Sequence, residues 1–331
     1  MDADAYAAAH SAEWDRLATL AKSRRLDGEQ SDELIAAYQS ASTQLSALST
    51  ADGDSAYTER LATAISAARL RFTGSRAGAA GIIARFFAIS LPAALYRVRW
   101  VTLAVALATI VVATLAAWWL VSDPRALAAV GSDADLKHYL NHDFIDYYSN
   151  NPAASFAGQV WTNNAWLAAQ SIATGILGVY VPYILIQNAV NIGVAAGIFV
   201  HFGRPDVMFS YILPHGLLEL TSLFVAAAAG LRIFWAWIAP GPRTRGQALA
   251  EEGRALFAIA VGVAISLFVS GLIEGFVTPS ALPVWAKIAI GALALAVFLV
   301  YMLVVGRRAA LAGETGDLAE SDAGARRLVA G

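Results

Sequence analysis

His215 and Glu219 stand four residues apart in the stretch YILPHGLLELTSLFVAAAAGLR, residues 211–232, and a second isolated acid, Glu274, follows in IEGFVTP. On a helix that begins near Pro214, side chains at i and i+4 lie on one face about a turn apart. Proline suits that first turn, which has no use for the N–H it lacks. A carboxylate within a segment apolar enough to cross a bilayer is costly and faces a protein interior or a wet cavity, so Glu219 and Glu274 are candidates for function. An imidazole nitrogen and two carboxylate oxygens are also ligands that zinc accepts, with a position left for water. No HExxH pair is present, so the site lacks the usual helical zinc motif.

Such groups need membrane elements to hold them. The 331 residues are 58% hydrophobic and 15% charged, the composition of an integral membrane protein with room for a soluble domain. Without cysteine, disulfides and thiolate metal sites are excluded. The formal net charge of −2 does not itself speak to nucleic acid, and none is expected as a partner. The first residues carry early acids and no continuous apolar run, unlike a secretory signal peptide, so the N-terminus is expected inside.

The expected fold is all-α: a polytopic bundle of six spans behind a cytoplasmic helical domain, residues 1–76. In that domain three amphipathic helices break at Asp27-Gly28 and at residues 52–54, with Ser31 and Asp54 as N-caps. Residues 77–99 belong to a wholly basic strip in which arginines are spaced among Ile, Phe and Leu. This suits an interfacial helix broken near Pro92 and lying on anionic headgroups. The six-span domain, residues 100–306, divides into spans at about 100–122, 164–180, 183–202, 213–235, 256–273 and 284–305, with a turn at Val181-Pro182. The acidic loop 123–162 reads as external, while the arginines after span four and at Arg307-Arg308, ahead of the polar tail 307–331, read as cytoplasmic. A multi-pass protein of the bacterial plasma membrane, with both termini cytoplasmic, follows. Small-xxx-small spacing at Gly193 and Gly197 allows close helix contact. It leaves a homo-oligomer open, since such faces pack between chains as well as within one.

This topology puts polar groups from four spans at one external layer: Asn163, Asn164, His201, His215 and Glu274, with Glu219 about 6 Å deeper at 1.5 Å per residue. If adjacent, they form an outward-opening pocket rimmed by Trp161 and Trp166. Three readings compete for it. It fixes helix register by hydrogen bonding. It binds zinc through His215, Glu219 and Glu274, with His201 as a further candidate ligand, as in an intramembrane metal-dependent hydrolase. Or it serves a transporter, or a lipid or proton pathway, through titrating acids.

Several short elements in order resemble the stage II sporulation protein M family (SpoIIM, also called DUF95). They are Asn163-Asn164, Asn188 with Asn191-x-Gly193, ILPHGLLEL at 212–220, the Ala-Gly-Leu around Gly230, and IEGFVTP at 273–279. The resemblance implies a polytopic membrane subunit that works with peptidoglycan-degrading partners, a scaffold or assembly partner in the cell envelope more than an enzyme. Cell-wall hydrolases or other membrane proteins are the partners it implies. The same pattern draws attention to Asn163, Asn164, Asn191, His215, Gly216, Glu219 and Glu274, without assigning them a chemistry.

Overall fold

A computed structural model describes residues 3–23, 26–52, 56–72, 79–149 and 152–318, and among these there are helices and no strand. The chain divides into two compact units, residues 1–82 and 83–331.

The first unit packs three helices against one another: α1 (Ala3–Lys22), α2 (Gly28–Asp52) and α3 (Ala56–Phe72). Trp14, Leu17, Leu34, Leu48 and Leu61 are fully buried between them, each worth about 1.5–3 kcal/mol of burial. The indole of Trp14 donates to Gln44 Oε1 at 2.6 Å, and Gln44 Nε2 donates to Glu13 at 2.8 Å, so a buried polar pair is satisfied. The start of α2 is capped by Asp27, whose carboxylate accepts from Gln30 N at 2.8 Å while Gln30 Oε1 accepts from Asp27 N. Ser31 instead donates into the helix, to Asp27 O. The other expected cap, Asp54, lies outside the described residues.

The boundary between the units falls within α4 (Ala79–Arg85), which runs through a π-turn at Phe86–Ser90 into α5 (Leu91–Ser122) of the second. The helix does not break at Pro92. The five-residue turn ahead of it bonds Leu91 N to Phe86 O, and Pro92 then sits in the first turn of α5, where its missing N–H costs nothing. Residues 91–95 are buried in the bundle.

Three short helices follow, α6 (Pro124–Val130), α7 (Asp133–His138) and α8 (Phe144–Ser149). Their Leu136, Leu140, Phe144 and Tyr148 pack with Phe156, Phe199 and Met208, so the acidic loop has a core of its own at one end of the bundle, here termed the loop end.

Five helical stretches are long and apolar enough to cross a membrane: 80–122, 180–201, 205–238, 245–277 and 284–311. They contain α5, α10 (Tyr180–His201), α11 (Pro205–Ile238), α12 (Arg245–Leu272) and α13 (Val284–Val300), the last continuing through a π-turn into α14 (Gly306–Leu311). The remaining long helix, α9 (Ala153–Ala173), has 21 residues but is too polar to qualify as a span by composition.

The packing fixes direction. Gly193 abuts Ala113 and Gly197 abuts Leu120, so α10 runs parallel to α5, and α9 must carry the chain back between them. Gly275 lies against Ala153 and Gly271 against Ala157, so α9 is antiparallel to α12. Ser222 meets Ser266 and Arg232 meets Glu252, so α11 is antiparallel to α12 as well.

Two boundaries differ from those read in the sequence. The turn between α9 and α10 comes at Thr174–Val179, earlier than Val181-Pro182: α9 ends at Ala173, and Gly178, at φ +71° beside the ring of Phe234, closes the single 3-10 turn Gly175–Leu177 that follows. Pro182 then occupies the first turn of α10. Likewise α11 starts at Pro205, not near Pro214, which lies inside the helix. There the carbonyl of Pro214 is the point where Gly291 of α13 makes closest approach, a contact only glycine permits.

At the opposite, arginine end, Glu252 is buried between Arg97 and Arg232, to which it is ion-paired, the latter at 2.8 Å. The tail folds back onto this end: Asp317 pairs with Arg254 and Gly316 rests on the backbone of Ala94.

Candidate functional site

Helices α11 and α12 build the cluster. His215 sits ten residues into α11 with Glu219 one turn on, and both face α12, which bears serine, serine, glutamate and threonine at 266, 270, 274 and 278. That four-residue spacing lays the polar groups along one face of α12. Glu274 stands in the π-turn Ile273–Val277 that continues α12, and Thr278 caps that turn.

The His215, Glu219 and Glu274 ligand atoms lie within 4.8 Å of one another. His215 Nε2 faces Glu274 Oε2 at 3.8 Å, too far for a hydrogen bond, and both side chains are buried. The other ring nitrogen, Nδ1, lies 3.3 Å from Thr278 Oγ1. Glu219 accepts from Ser270 Oγ at 3.4 Å and from the Asn164 amide of α9. Ser270 Oγ also lies 3.1 Å from the carbonyl of His215, which locks the two helices in register. One turn further, Ser222 and Ser266 share a buried hydrogen bond of 2.7 Å.

Tyr148 covers the cluster from the loop end, its ring 5.9 Å from that of His215. The hydroxyl of its neighbour Tyr147 is pushed up to about 12 by burial first and then by the charges of Glu274 and Glu219. Burial first, and then Glu274, raise Tyr148 too. Both phenols therefore keep their protons and remain potential donors beside the acids.

Four of the sequence candidates do not meet here as a pocket does. Asn163 is exposed on α9, whereas its neighbour Asn164 is buried. Asn191 is exposed on α10, and His201 is exposed at its end with its ring against Phe202. Gly216 is buried beside His215 but presses on Ile212 of its own helix. The expected tryptophan rim is also elsewhere. Trp161 donates to Ala264 O and stacks edge-on to Phe268, while Trp166 is 63% exposed. What gathers is a closed cluster of His215, Glu219, Glu274 and Asn164, joined by Ser270, Thr278 and Tyr148. Ser270 and Thr278 were detectable as members of the four-residue polar ladder on α12; Tyr148 had no such signal.

Below the cluster the polar line stops. Past Ser222 and Ser266, the α11–α12 interface consists of Val225, Ala226, Ala229, Ala258, Ile259 and Val263, all buried. Gln187 is exposed and bonds Tyr183, so no polar path runs from Glu219 toward it. At the arginine end a cavity of about 10 Å³, room for one water, lies beside Glu252.

Residues 4–74 match the model of a domain of unknown function, DUF8413. Comparison with curated proteins and with solved structures returned no significant match. Residues 106–279, a little over half of the chain, match the model of stage II sporulation protein M and include Asn164, His215, Glu219 and Glu274. By that match, and with the apolar helices described above, the chain is a multi-pass membrane protein that belongs to the stage II sporulation protein M family.

Proposed function

We propose that this chain is an integral membrane scaffold, an assembly partner for cell-envelope proteins that act on peptidoglycan, seated in the bacterial plasma membrane with both termini cytoplasmic. One observation carries the reading: the outward face of α9. Ser155, Gly158, Gln159, Thr162, Asn163 and Trp166 line a shallow groove along it, pointing away from the bundle. Asn163 lies ten residues into α9, about 15 Å from its start, well within the depth of a bilayer. The Ser155 and Thr162 hydroxyls bond locally, to Pro152 O and Gly158 O, but the outward Asn163 amide, facing lipid tails at that depth, calls for a partner, and a neighbouring transmembrane helix supplies one. The small residues Ser155 and Gly158 let such a helix come close.

Orientation is supported by charge. The start of α5 and the end of α13 share the arginine end, where Gly306 abuts Pro92. Arg97, Arg232, Arg243, Arg245, Arg254 and Arg307 gather on that side, and the loop end holds most of the aspartates of 123–146. The positive-inside bias then makes the arginine end cytoplasmic.

The test uses the chain's lack of cysteine. Thr162→Cys, labelled in intact cells with a thiol-reactive photocrosslinker, is expected to form adducts that mass spectrometry identifies as a different membrane-anchored envelope protein. Adducts only with a second copy of this chain, or none at all, would contradict the scaffold reading.

A further inference from the structure

We propose that His215 Nε2 and one carboxylate oxygen from each of Glu219 and Glu274 bind a single divalent cation of the zinc class, tying α11 to the π-turn of α12. This goes beyond the scaffold reading and does not rest on it. The starting observation is an unmet need. The Glu274 side chain is 4% exposed, and among the described residues no hydrogen-bond donor is placed on its carboxylate; His215 Nε2 faces it at 3.8 Å. A buried carboxylate without a donor is among the most costly arrangements in a protein interior. A cation between the three side chains satisfies it.

The geometry is close to what zinc requires. Bonds of about 2.0–2.2 Å place neighbouring ligands roughly 3.5 Å apart. His215 and Glu274 stand at 3.8 Å, and the widest separation in the trio, within 4.8 Å, closes by rotation of a glutamate side chain. The supporting shell is also present. Thr278 Oγ1 lies 3.4 Å from Ile273 O as well as 3.3 Å from His215 Nδ1. Donating to the carbonyl, it accepts Nδ1–H, and that tautomer turns the lone pair of Nε2 toward Glu274. Ser270 and Asn164 hold Glu219 in the same way. One imidazole and two carboxylates select a borderline first-row metal over the all-oxygen shells preferred by calcium and magnesium. Three protein ligands leave a fourth position, on the side covered by Tyr147 and Tyr148.

One competing surface site exists. His138 and His142 stack with centroids 5.0 Å apart in the loop. The experiment is therefore run on full-length protein carrying His138→Ala and His142→Ala, purified in detergent and stripped with chelator, then titrated with zinc chloride. The expected result is one zinc per chain, a raised thermal midpoint, and X-ray absorption showing one nitrogen-donor and two oxygen-donor protein ligands. Glu274→Gln, nearly isosteric, is expected to abolish stoichiometric binding, and Thr278→Val to weaken it by roughly 10-fold. Failure of the chelator-stripped protein to take up stoichiometric zinc overturns the proposal, as does binding that Glu274→Gln leaves unchanged. Should Glu274→Gln not purify as a monodisperse species, the absorption spectrum of the zinc-loaded parent decides: a shell without imidazole nitrogen overturns it.

Discussion

Asn163 and Asn164 are chemically identical neighbours with opposite environments. Asn164 is buried and donates to Glu219, whereas Asn163 points out of the bundle. Asn164→Leu removes a donor from a buried carboxylate and should destabilise the protein by about 1–3 kcal/mol. Asn163→Leu in the isolated chain should stay within about 0.5 kcal/mol of the parent. Thermal unfolding in detergent separates the two, and equal effects would mean that α9 is rotated from the orientation described here. The sequence could flag the pair but not divide it, because two adjacent amides differ by about 100° around a helix and only a packed neighbour says which one faces in. Glu219 and Glu274 were legible as intramembrane acids. Their convergence depends on the register of α11 against α12, which no residue type announces.

At the level of elements, close approach between helices is set by glycines that face backbone. Gly291 faces the carbonyl of Pro214, and a Cβ there would collide with it. Gly291→Ala should push α13 off α11 and lower stability by about 1–3 kcal/mol, as overpacking does. Gly158, on the outward face of α9 with nothing within 4 Å, provides the comparison: Gly158→Ala should leave the thermal midpoint of the isolated chain unchanged or slightly raised. A matching loss at both positions would contradict the packing. The same chemistry explains the misplaced turn before α10. Within one long uncharged run, Pro182 and Gly178 both signal a break; the chain turns at Thr174–Val179, where Gly178 takes a positive φ beside Phe234, and Pro182 falls in the first turn of α10. With α9 running from Ala153 to Ala173, Ser155, Gln159 and Thr162 fall within the helix, and they make it too polar to be recognised as a span by hydropathy.

For the molecule as a whole, apolar runs made the membrane helices readable, five of them long and apolar enough to cross, with arginines clustered at one end of the bundle and aspartates at the other. The three-dimensional fact that charge does not reveal is the register between α11 and α12, and the cluster at His215, Glu219 and Glu274 exists only in that register. Ser222 and Ser266 report it directly, their hydroxyl oxygens 2.7 Å apart and buried. In a chain with no native thiol, the double substitution Ser222→Cys and Ser266→Cys places two sulfurs close to the ~2.05 Å needed for a disulfide. Oxidation of that variant in membranes, followed by digestion and mass spectrometry, should yield the cross-linked peptide pair in nearly every chain. Two thiols that remain free to alkylate after oxidation would show that the helices are offset and that the histidine and the two acids do not meet.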